Sequence, residues 1–526
     1  MLSYSLKHSL RLASGSLLTV LLCLSSCGEG WRGPSEADLS EFGSFVYAID
    51  TLQMERALTD ILSTDTSHFG ADKAVRQRYS DVERFELAPL WFTRMGVAEE
   101  AYELLECLRR DAPRCGLDTS AFFVPQIARD LFVVHKLAFD SLGIDINELL
   151  PRLDYNLSRA YVRYATGQRY GFMRPSKVFN SLDTKTHGEG FARLFDEQVK
   201  EPDYEASLRQ LLSTDRMDFI NSSVPDSPLF KALLTRLDAA IDTAERRKLA
   251  VNLERARWQM KQPDESRLVL VNLPSQQLWA VDADTILNMR ICCGTVLTKT
   301  PLLHSAISTI DVNPDWIIPQ SIVKNEIARH GGDSSYFARH RYYIADRSTG
   351  TRLNPRHVGV AQLESGRLRV GQRGGAGNSL GRIVFRFPNN FAVYLHDTNN
   401  RSAFTRERRT LSHGCVRVER PFDLACFLMP DADEWTLDRL RLSIDKAPAT
   451  ERGRTYLAEH PDEERPLRLM RQQSVSPRVP VYIIYYTAYP NPESGDVELW
   501  PDIYGYDKVI ADEMGAFLIS TAPKKY

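Results

Sequence analysis

The chain has 526 residues, 43% of them hydrophobic, and its 66 lysines and arginines nearly balance its 68 aspartates and glutamates. A chain of this length and apolar content is expected to form two or three domains. The near-neutral charge excludes the strongly basic surface by which proteins bind nucleic acids, so no nucleic-acid partner is expected.

Residues 1–27 are predicted to be a lipoprotein signal peptide. Lys7 and Arg11 precede an apolar run at residues 17–24, which is too short to span a bilayer and is typical of a secretory signal. The run ends in Leu-Ser-Ser-Cys, which resembles a bacterial lipobox and implies cleavage before Cys27 and lipidation of its thiol. An ordinary signal peptide is the alternative. We therefore expect a periplasm-facing protein of the cell envelope, held to the membrane by an N-terminal lipid.

The remaining cysteines leave their pairing open. An extracytoplasmic location permits disulfides, and Cys107 and Cys115 flank a short loop, where they either pair or stay separate near a helix end. Adjacent Cys292 and Cys293 lie in a strand-like run, where alternation sends them to opposite faces. Cys426 is expected to be a core residue of a helix.

Residues 35–260 are predicted to form a helical scaffold domain. Apolar residues recur at helical spacing in the segments 98–110, 127–142 and 228–260. The segment 155–175 places tyrosines and arginines at the same spacing, which indicates a helix with one packed face and one solvated face.

From residue 265 to residue 526 the pattern is that of β-strands. Alternating segments on either side of Pro274 and Ser275 predict a hairpin, and "RIVFRF" and "FAVYLHD" on either side of "PNN" predict a second one. Further strands are expected near the C-terminus. The two halves together predict an α+β fold, with a helical N-terminal scaffold domain followed by a mostly β domain.

An irregular insert interrupts this β domain at about residues 302–375, and it contains "NPDWIIPQSIVKNEIARHGG". Inserts of this length inside a β domain usually cover a site. We therefore predict that the insert forms a cap subdomain.

Cys415, in "LSHGCVRVERP", is the candidate nucleophile. A catalytic cysteine needs a neighbouring base, and the candidates are His413 and His396. Gly414 allows the backbone to turn sharply and bring its amides close to a reacting carbonyl. A zinc site would need a fourth ligand that is not nearby, whereas an inert buried cysteine remains open on local chemistry alone.

The stretch from His396 to Cys415 resembles the signature of the L,D-transpeptidases with a YkuD-type catalytic domain. That signature is a histidine, fourteen to seventeen residues, and then Ser/Thr-His-Gly-Cys; here fifteen residues separate His396 from Ser412. The segments "NPDWIIP", "GNSLGRIVFRFPNNFAVYLHDT" and "SHGCVRVERPFDLA" follow the order found in the large multidomain branch of the family, whose members have an N-terminal scaffold.

The resemblance implies a role for each residue of the signature. Cys415 is the nucleophile, His396 is the general base, and His413 orients the site. Ser412 shapes the turn, and the backbone near Gly414 forms the oxyanion hole.

The resemblance also implies residues that bind the substrate. Arg417 matches an arginine that meets a carboxylate of the donor peptide, a task that suits a bidentate guanidinium, although a structural salt bridge is the alternative. Tyr394 and Asp397, on either side of His396, are assigned to substrate binding as well.

The implied reaction is peptidoglycan acyl transfer without a cofactor or a metal. The cysteine attacks the L,D bond of a donor tetrapeptide stem, releases D-alanine, and passes the acyl group to a diamino-acid amine of a second stem, which gives a 3→3 cross-link. An L,D-carboxypeptidase and a lipoprotein-anchoring enzyme would share the acylation step. A catalytically idle wall-binding lipoprotein is the alternative from another class.

The expected partners are peptidoglycan stem peptides and the membrane that holds the lipid, and carbapenem-type inhibitors are possible ligands. Members of this branch commonly carry a peptidoglycan-binding module before the catalytic domain. Residues 170–250 lack the phenylalanine-glutamine pair and the Asp-Gly turn of that module.

Overall fold

The computed structural model describes residues 49–81, 89–93, 96–182, 194–258, 260, 266–283, 285–461 and 469–519. The expected signal peptide and the lipidation site Cys27 lie outside these residues. Within the described ranges, no helix is both long and apolar enough to cross a membrane.

Helices dominate the described residues up to 258, which confirms the helical N-terminal region of the predicted α+β fold. A 3₁₀ turn spans Thr119–Phe122, and the short strands β1 (Phe92–Thr93) and β2 (Gly96–Val97) pair with each other. The α-helices are Thr51–Thr64, Gly70–Ser80, Glu99–Arg114, Val124–Lys136, Phe139–Leu142, Ile146–Tyr170, Pro175–Ser181, Tyr204–Leu211, Arg216–Asn221, Pro228–Ala239 and Thr243–Arg257.

The helix Ile146–Tyr170 is the centre of this region. It begins after Asp145, whose side chain accepts a hydrogen bond from the Asn147 amide and so satisfies a free N–H of the first turn. The expected solvated face is not observed, because neighbouring helices pack around this helix and bury most of its residues.

The arginines of this helix are neutralised inside the scaffold. Asp72, which is fully buried, pairs with both Arg159 and Arg163. Burial by itself would raise the pKa of Asp72, but hydrogen bonds from the two guanidinium groups outweigh it and hold the pKa below its usual value.

The β-strands follow in the second half of the chain, after a two-residue strand β3 (Phe195–Asp196). In chain order they are β4 (Arg267–Asn272), β5 (Gln277–Asp282), β6 (Thr285–Gly294), β7 (Leu302–Val312), β8 (Trp316–Ile317), β9 (Tyr342–Asp346), β10 (Arg352–Leu353), β11 (Leu368–Gln372), β12 (Ile383–Arg386), β13 (Leu395–His396), β14 (Thr410–Ser412), β15 (Val416–Val418), β16 (Gln472–Ile484), β17 (Ala488–Pro490) and β18 (Val497–Leu499).

The main sheet closes on itself. Its strands follow the order β12-β13-β15-β6-β5-β4-β16-β7-β3, and β12 also pairs with β7. Closure pairs edges that would otherwise be exposed. Both predicted hairpins are confirmed, since β4 pairs with β5 and β12 pairs with β13, each antiparallel.

The insert forms a subdomain with its own sheet, in the order β10-β9-β11-β8, and this subdomain is called the cap below. Short helices at Gln320–Ile322, Ser334–Arg339 and Val360–Glu364, a π-helix at Val323–Ile327, and 3₁₀ turns at Ala328–His330 and Pro355–His357 complete it. Its separate core contains Ile318, Ile322, Val323, Ile327, Ala328, Phe337, Ile344, Val358, Leu363, Leu368 and Val370.

The cap starts later than the sequence indicates. Residues 302–312 form β7, a long strand of the main sheet, because their side chains complete the barrel core between β16 and β12. The cap sheet and the cap core therefore begin after that strand, at β8.

After β15, the described chain also contains the helices Pro421–Phe427, Glu434–Ser443, Glu451–Glu459 and Tyr506–Met514 and a last 3₁₀ turn at Gly515–Phe517.

Cys107 and Cys115 are free thiols, so the disulfide is not formed. Cys292 packs under the loop that carries Phe404, whereas Cys293 packs in the main core, as strand alternation predicts. Cys426 lies in the helix Pro421–Phe427 but is only half-buried.

Candidate active site

The register of two neighbouring strands brings the signature residues together. β13 and β15 run parallel, with Leu395 opposite Val416 and His396 opposite Arg417, and the Val416 amide donates to the Tyr394 carbonyl at 3.1 Å. Leu395 and Val416 are fully buried in the barrel core. Because side chains alternate along a strand, the other face of this pair carries the remaining four residues: Tyr394, His396, Cys415 and Arg417.

This arrangement makes Cys415 a diagonal neighbour of His396. Cys415 lies beside Tyr394 in one row of the sheet, and His396 lies beside Arg417 in the next row. Diagonal neighbours on one face of a sheet are within reach of long and aromatic side chains. A thiol, an imidazole and a guanidinium therefore share one small surface.

The turn before Cys415 depends on a glycine and a serine. Gly414 has φ of +118°, a conformation that residues with a Cβ rarely adopt. The Ser412 hydroxyl donates to the Cys415 carbonyl at 2.5 Å and accepts from the Gly414 amide at 3.2 Å. The Gly414 amide is thus occupied, whereas within the described chain the amides of His413 and Cys415 donate no hydrogen bond at this turn.

The loop after β6 holds this turn from below. The Thr300 hydroxyl donates to the Gly414 carbonyl at 2.8 Å and accepts from the Gly294 amide at 2.9 Å. The Thr298 hydroxyl donates to the Ser412 carbonyl at 2.9 Å. Sequence analysis assigned no role to these threonines.

A tyrosine close to the C-terminus locks the same loop. The Tyr504 hydroxyl donates to the Gly294 carbonyl at 2.8 Å and accepts from the Thr300 amide at 3.2 Å. A Cβ on Gly294 would lie 2.0 Å from the Thr298 carbonyl oxygen, so only glycine permits this close approach. The sequence offered no signal that links residue 504 to the site.

His396 is buried and neutral at ordinary pH. Burial, together with the nearby charge of Arg417, lowers the pKa of the imidazole to about 4. Its Nδ1 has no hydrogen-bond partner among the described residues. An uncharged imidazole of this kind can accept a proton.

The Cys415 thiol is also neutral in the resting site. Burial raises its pKa above the usual value, while hydrogen bonding from Tyr394 and the charges of Arg386 and Arg417 oppose this effect only in part. Its Sγ lies 3.9 Å from the Ala392 carbonyl oxygen. The pair Cys415 and His396 is therefore a neutral thiol next to a neutral base, not a preformed ion pair.

Arg417 is a half-buried cation without an ion pair in the described part of the chain. Its Nε is buried and makes no hydrogen bond there. The alternative of a structural salt bridge therefore has no partner in this region. A guanidinium in this state can bind a carboxylate that comes from outside.

Two residues that sequence analysis assigned to the site also contact the cap. His413 Nε2 donates to Glu326 Oε1 at 2.7 Å, with 49% and 51% of the two side chains exposed. Tyr394 lies at the interface as well. Burial, with the neighbouring Cys415, raises the pKa of its hydroxyl, and hydrogen bonding with the cap residue Trp316 opposes that rise.

Asp397 is engaged inside the protein. It is buried, accepts a hydrogen bond from the Arg382 amide at 2.8 Å and pairs with Arg401 at 3.2 Å. These contacts hold the loops on either side of His396 and give Asp397 a structural part, and its contact with substrate stays a prediction. Among the described residues, no cluster of three His, Cys, Asp or Glu side chains could hold a metal ion.

Comparison with known proteins gives matches over both halves of the chain. The family model of the YkuD L,D-transpeptidase catalytic domain matches residues 266–434, and that of the Scaffold domain matches residues 74–237. A protein of Haemophilus influenzae that is provisionally named an L,D-transpeptidase is 32% identical over 323 residues. The match spans 60% of this chain and 60% of that relative.

Proposed function

The chain carries a YkuD L,D-transpeptidase catalytic domain joined to a Scaffold domain, and from this premise we propose that it is a peptidoglycan L,D-transpeptidase with Cys415 as its nucleophile. The single observation that supports this most is the register of β13 and β15. It places the thiol, the neutral imidazole of His396 and the free cation of Arg417 on one face of the sheet.

The first half-reaction is acylation of Cys415. His396 takes the thiol proton as Sγ attacks the carbonyl that joins the diamino acid at position three of a donor stem to its terminal D-alanine. The Cys415 amide donates to the oxyanion that forms, and Arg417 binds the D-alanine carboxylate. The C–N bond then breaks, D-alanine leaves with the proton from His396, and a thioester remains.

The second half-reaction is transfer to an amine. The side-chain amine of a second stem attacks the thioester carbonyl, His396 accepts its proton, and the C–S bond breaks. The products are a 3→3 cross-link and the cysteine, which recovers its proton from His396. Water as the attacking group would instead release a tripeptide stem, as in an L,D-carboxypeptidase, and a protein lysine would anchor that protein to the wall.

The cap supports amine transfer over hydrolysis in this proposal. It contacts two residues close to Cys415, through Glu326 at His413 and Trp316 at Tyr394. A cover at this position restricts access of water to the thioester. A carbapenem, whose strained ring carbonyl is open to the same attack, would form a thioester with Cys415.

The test is mass spectrometry of the products that the wild type, Cys415→Ala and Cys426→Ala make from a disaccharide-tetrapeptide. Cys426 is a half-buried free thiol in the same domain, so its variant is the matched control. We expect loss of D-alanine with a cross-linked dimer from the wild type and Cys426→Ala, and neither product from Cys415→Ala.

Two other results are informative. Loss of D-alanine without dimer would indicate a carboxypeptidase or a different acceptor. No reaction in any of the proteins would contradict the proposal and favour a wall-binding lipoprotein that uses the same groove as a receptor.

We also propose that the protein is anchored in the cell envelope by a lipid on Cys27. The support is the lipobox-like sequence at residues 24–27. Detergent extraction and intact mass of the processed protein test it: a diacylglyceryl adduct is expected for the wild type, and an unmodified chain from wild-type cells would refute it.

A further inference from the structure

The cap meets the catalytic domain at the nucleophile turn through a charged residue. Glu326, in the π-helix Val323–Ile327 of the cap, accepts the hydrogen bond of His413, and His413 directly precedes Gly414 and Cys415. The two side chains are 87 residues apart in sequence, so the contact joins two subdomains.

A second contact between the cap and the catalytic domain lies at Tyr394. Trp316 belongs to β8, the first strand of the cap, and its side chain hydrogen-bonds with the hydroxyl of Tyr394. Tyr394 stands beside Cys415 in the sheet. The cap is therefore held at two residues next to the nucleophile: His413, two positions before it in the chain, and Tyr394, beside it in the sheet.

We propose that Glu326 is a positioning residue that holds the cap over the Cys415 thioester and thereby determines whether an amine or water receives the acyl group. This inference rests on the proposed transpeptidase function. Glu326 acts through His413 and does not touch the reacting atoms. Glu326 affects the second half-reaction more than the first, because water competes with the acceptor amine only in the second.

The expected size follows from the exposure of the pair. Both side chains are about half exposed, and exposed polar contacts of this kind shift an equilibrium by about two- to five-fold. Loss of the carboxylate should therefore raise the population with a displaced cap, and the share of hydrolysis with it, by about two- to five-fold.

The experiment compares Glu326→Ala with Glu364→Ala in the full chain. Glu364 is an exposed glutamate of the same cap, at the end of the helix Val360–Glu364, so it is the matched control. With disaccharide-tetrapeptide as substrate, the measured quantities are the rate of D-alanine release and the ratio of dimer to tripeptide. For Glu326→Ala we expect an unchanged release rate and a two- to five-fold lower ratio, with both values unchanged in Glu364→Ala.

A variant that keeps the contact sharpens the result. Glu326→Gln retains a hydrogen-bond acceptor without the charge, so its ratio should lie between those of the wild type and Glu326→Ala. In a His413→Gln background, the Glu326→Ala change should have little further effect on the ratio, because the two residues act as a pair. An unchanged ratio in Glu326→Ala, or an equal loss of release rate in both glutamate variants, would overturn the inference.

Hydrogen exchange provides a readout that does not depend on catalysis. Backbone amides of residues 316–327 and of the turn 412–416 should exchange faster in Glu326→Ala than in the wild type and Glu364→Ala. Equal exchange in the three proteins would refute the coupling even if the enzyme is inactive. Absence of D-alanine release from the wild type would instead refute the proposed function.

Discussion

The depressed pKa of His396 has a direct consequence for the pH dependence of the reaction. Burial first, and then the charge of Arg417, bring the pKa of the imidazole from its ordinary value of 6.5 to about 4. As general base, His396 must be neutral, so kcat/KM should fall on the acid side near pH 4. At pH 5.5 an ordinary histidine would be only about one-tenth neutral, whereas a group with this pKa would be almost fully neutral.

The variant Arg417→Gln separates the two causes. It removes the charge and leaves the burial, so the pKa of His396 should rise but stay below 6.5. The acid limb of kcat/KM should therefore move to a pH between 4 and 6.5. Arg386→Gln is the matched control, because this arginine acts on the Cys415 thiol but is not among the groups that shift His396.

The assay is the initial rate of D-alanine release at low substrate concentration, from about pH 4 to 8, for the three proteins. The position of the acid limb is compared, not its height, because loss of Arg417 should also weaken binding of the donor carboxylate. A wild-type limb near pH 6.5 would refute the buried neutral base. A limb that moves equally in both arginine variants would refute the specific effect of Arg417.

Three further predictions concern stability. The unfolded chain takes up a proton on His396 below pH 6.5, whereas the folded chain excludes that proton down to about pH 4. The free energy of unfolding, measured by thermal unfolding, should therefore fall by about 3 kcal/mol as the pH falls through this window. His396→Gln should flatten this part of the dependence of stability on pH. Thr300→Val leaves the Gly294 amide and the Gly414 carbonyl unpaired and should cost about 2–4 kcal/mol of stability in urea unfolding, with slower release of D-alanine. Thr300→Ser keeps both hydrogen bonds and should cost about 1 kcal/mol or less. Equal losses in the two variants would contradict the role of the hydroxyl. Asp72→Ala leaves two arginines inside the scaffold without their carboxylate and should lower the free energy of unfolding by about 3–5 kcal/mol. The exposed control Asp60→Ala should change it by no more than about 0.5 kcal/mol. Equal stabilities of the two variants in calorimetry would show that the buried pairs do not stabilise the domain.

The sequence by itself determined the features that depend on local pattern. Hydrophobic periodicity is a property of neighbouring residues, so the helical first half and the two hairpins could be predicted from it. The spacing between His396 and the stretch that contains Cys415 can also be read from the sequence alone. Strand alternation further separated Leu395, which faces the core, from His396, which faces the site.

One boundary differs from the expectation because it depends on strands far away in sequence. The segment 302–312 looked irregular, yet it forms β7, since the partner strands β16 and β12 complete its hydrogen bonds. This pairing is not encoded in the residues beside the segment. The expected contact of Asp397 with substrate stays a prediction, since its contacts with Arg382 and Arg401 do not test it.

Only the tertiary structure decided how the site is supported and what covers it. The pairing of β13 with β15 brought Arg417 against His396, and this contact changes the acidity of the base. The cap brought Glu326 to His413 across 87 residues of chain. Charges and hydrogen bonds act over a few ångströms of space, not over sequence separation, and the fold alone determines which groups lie within that distance.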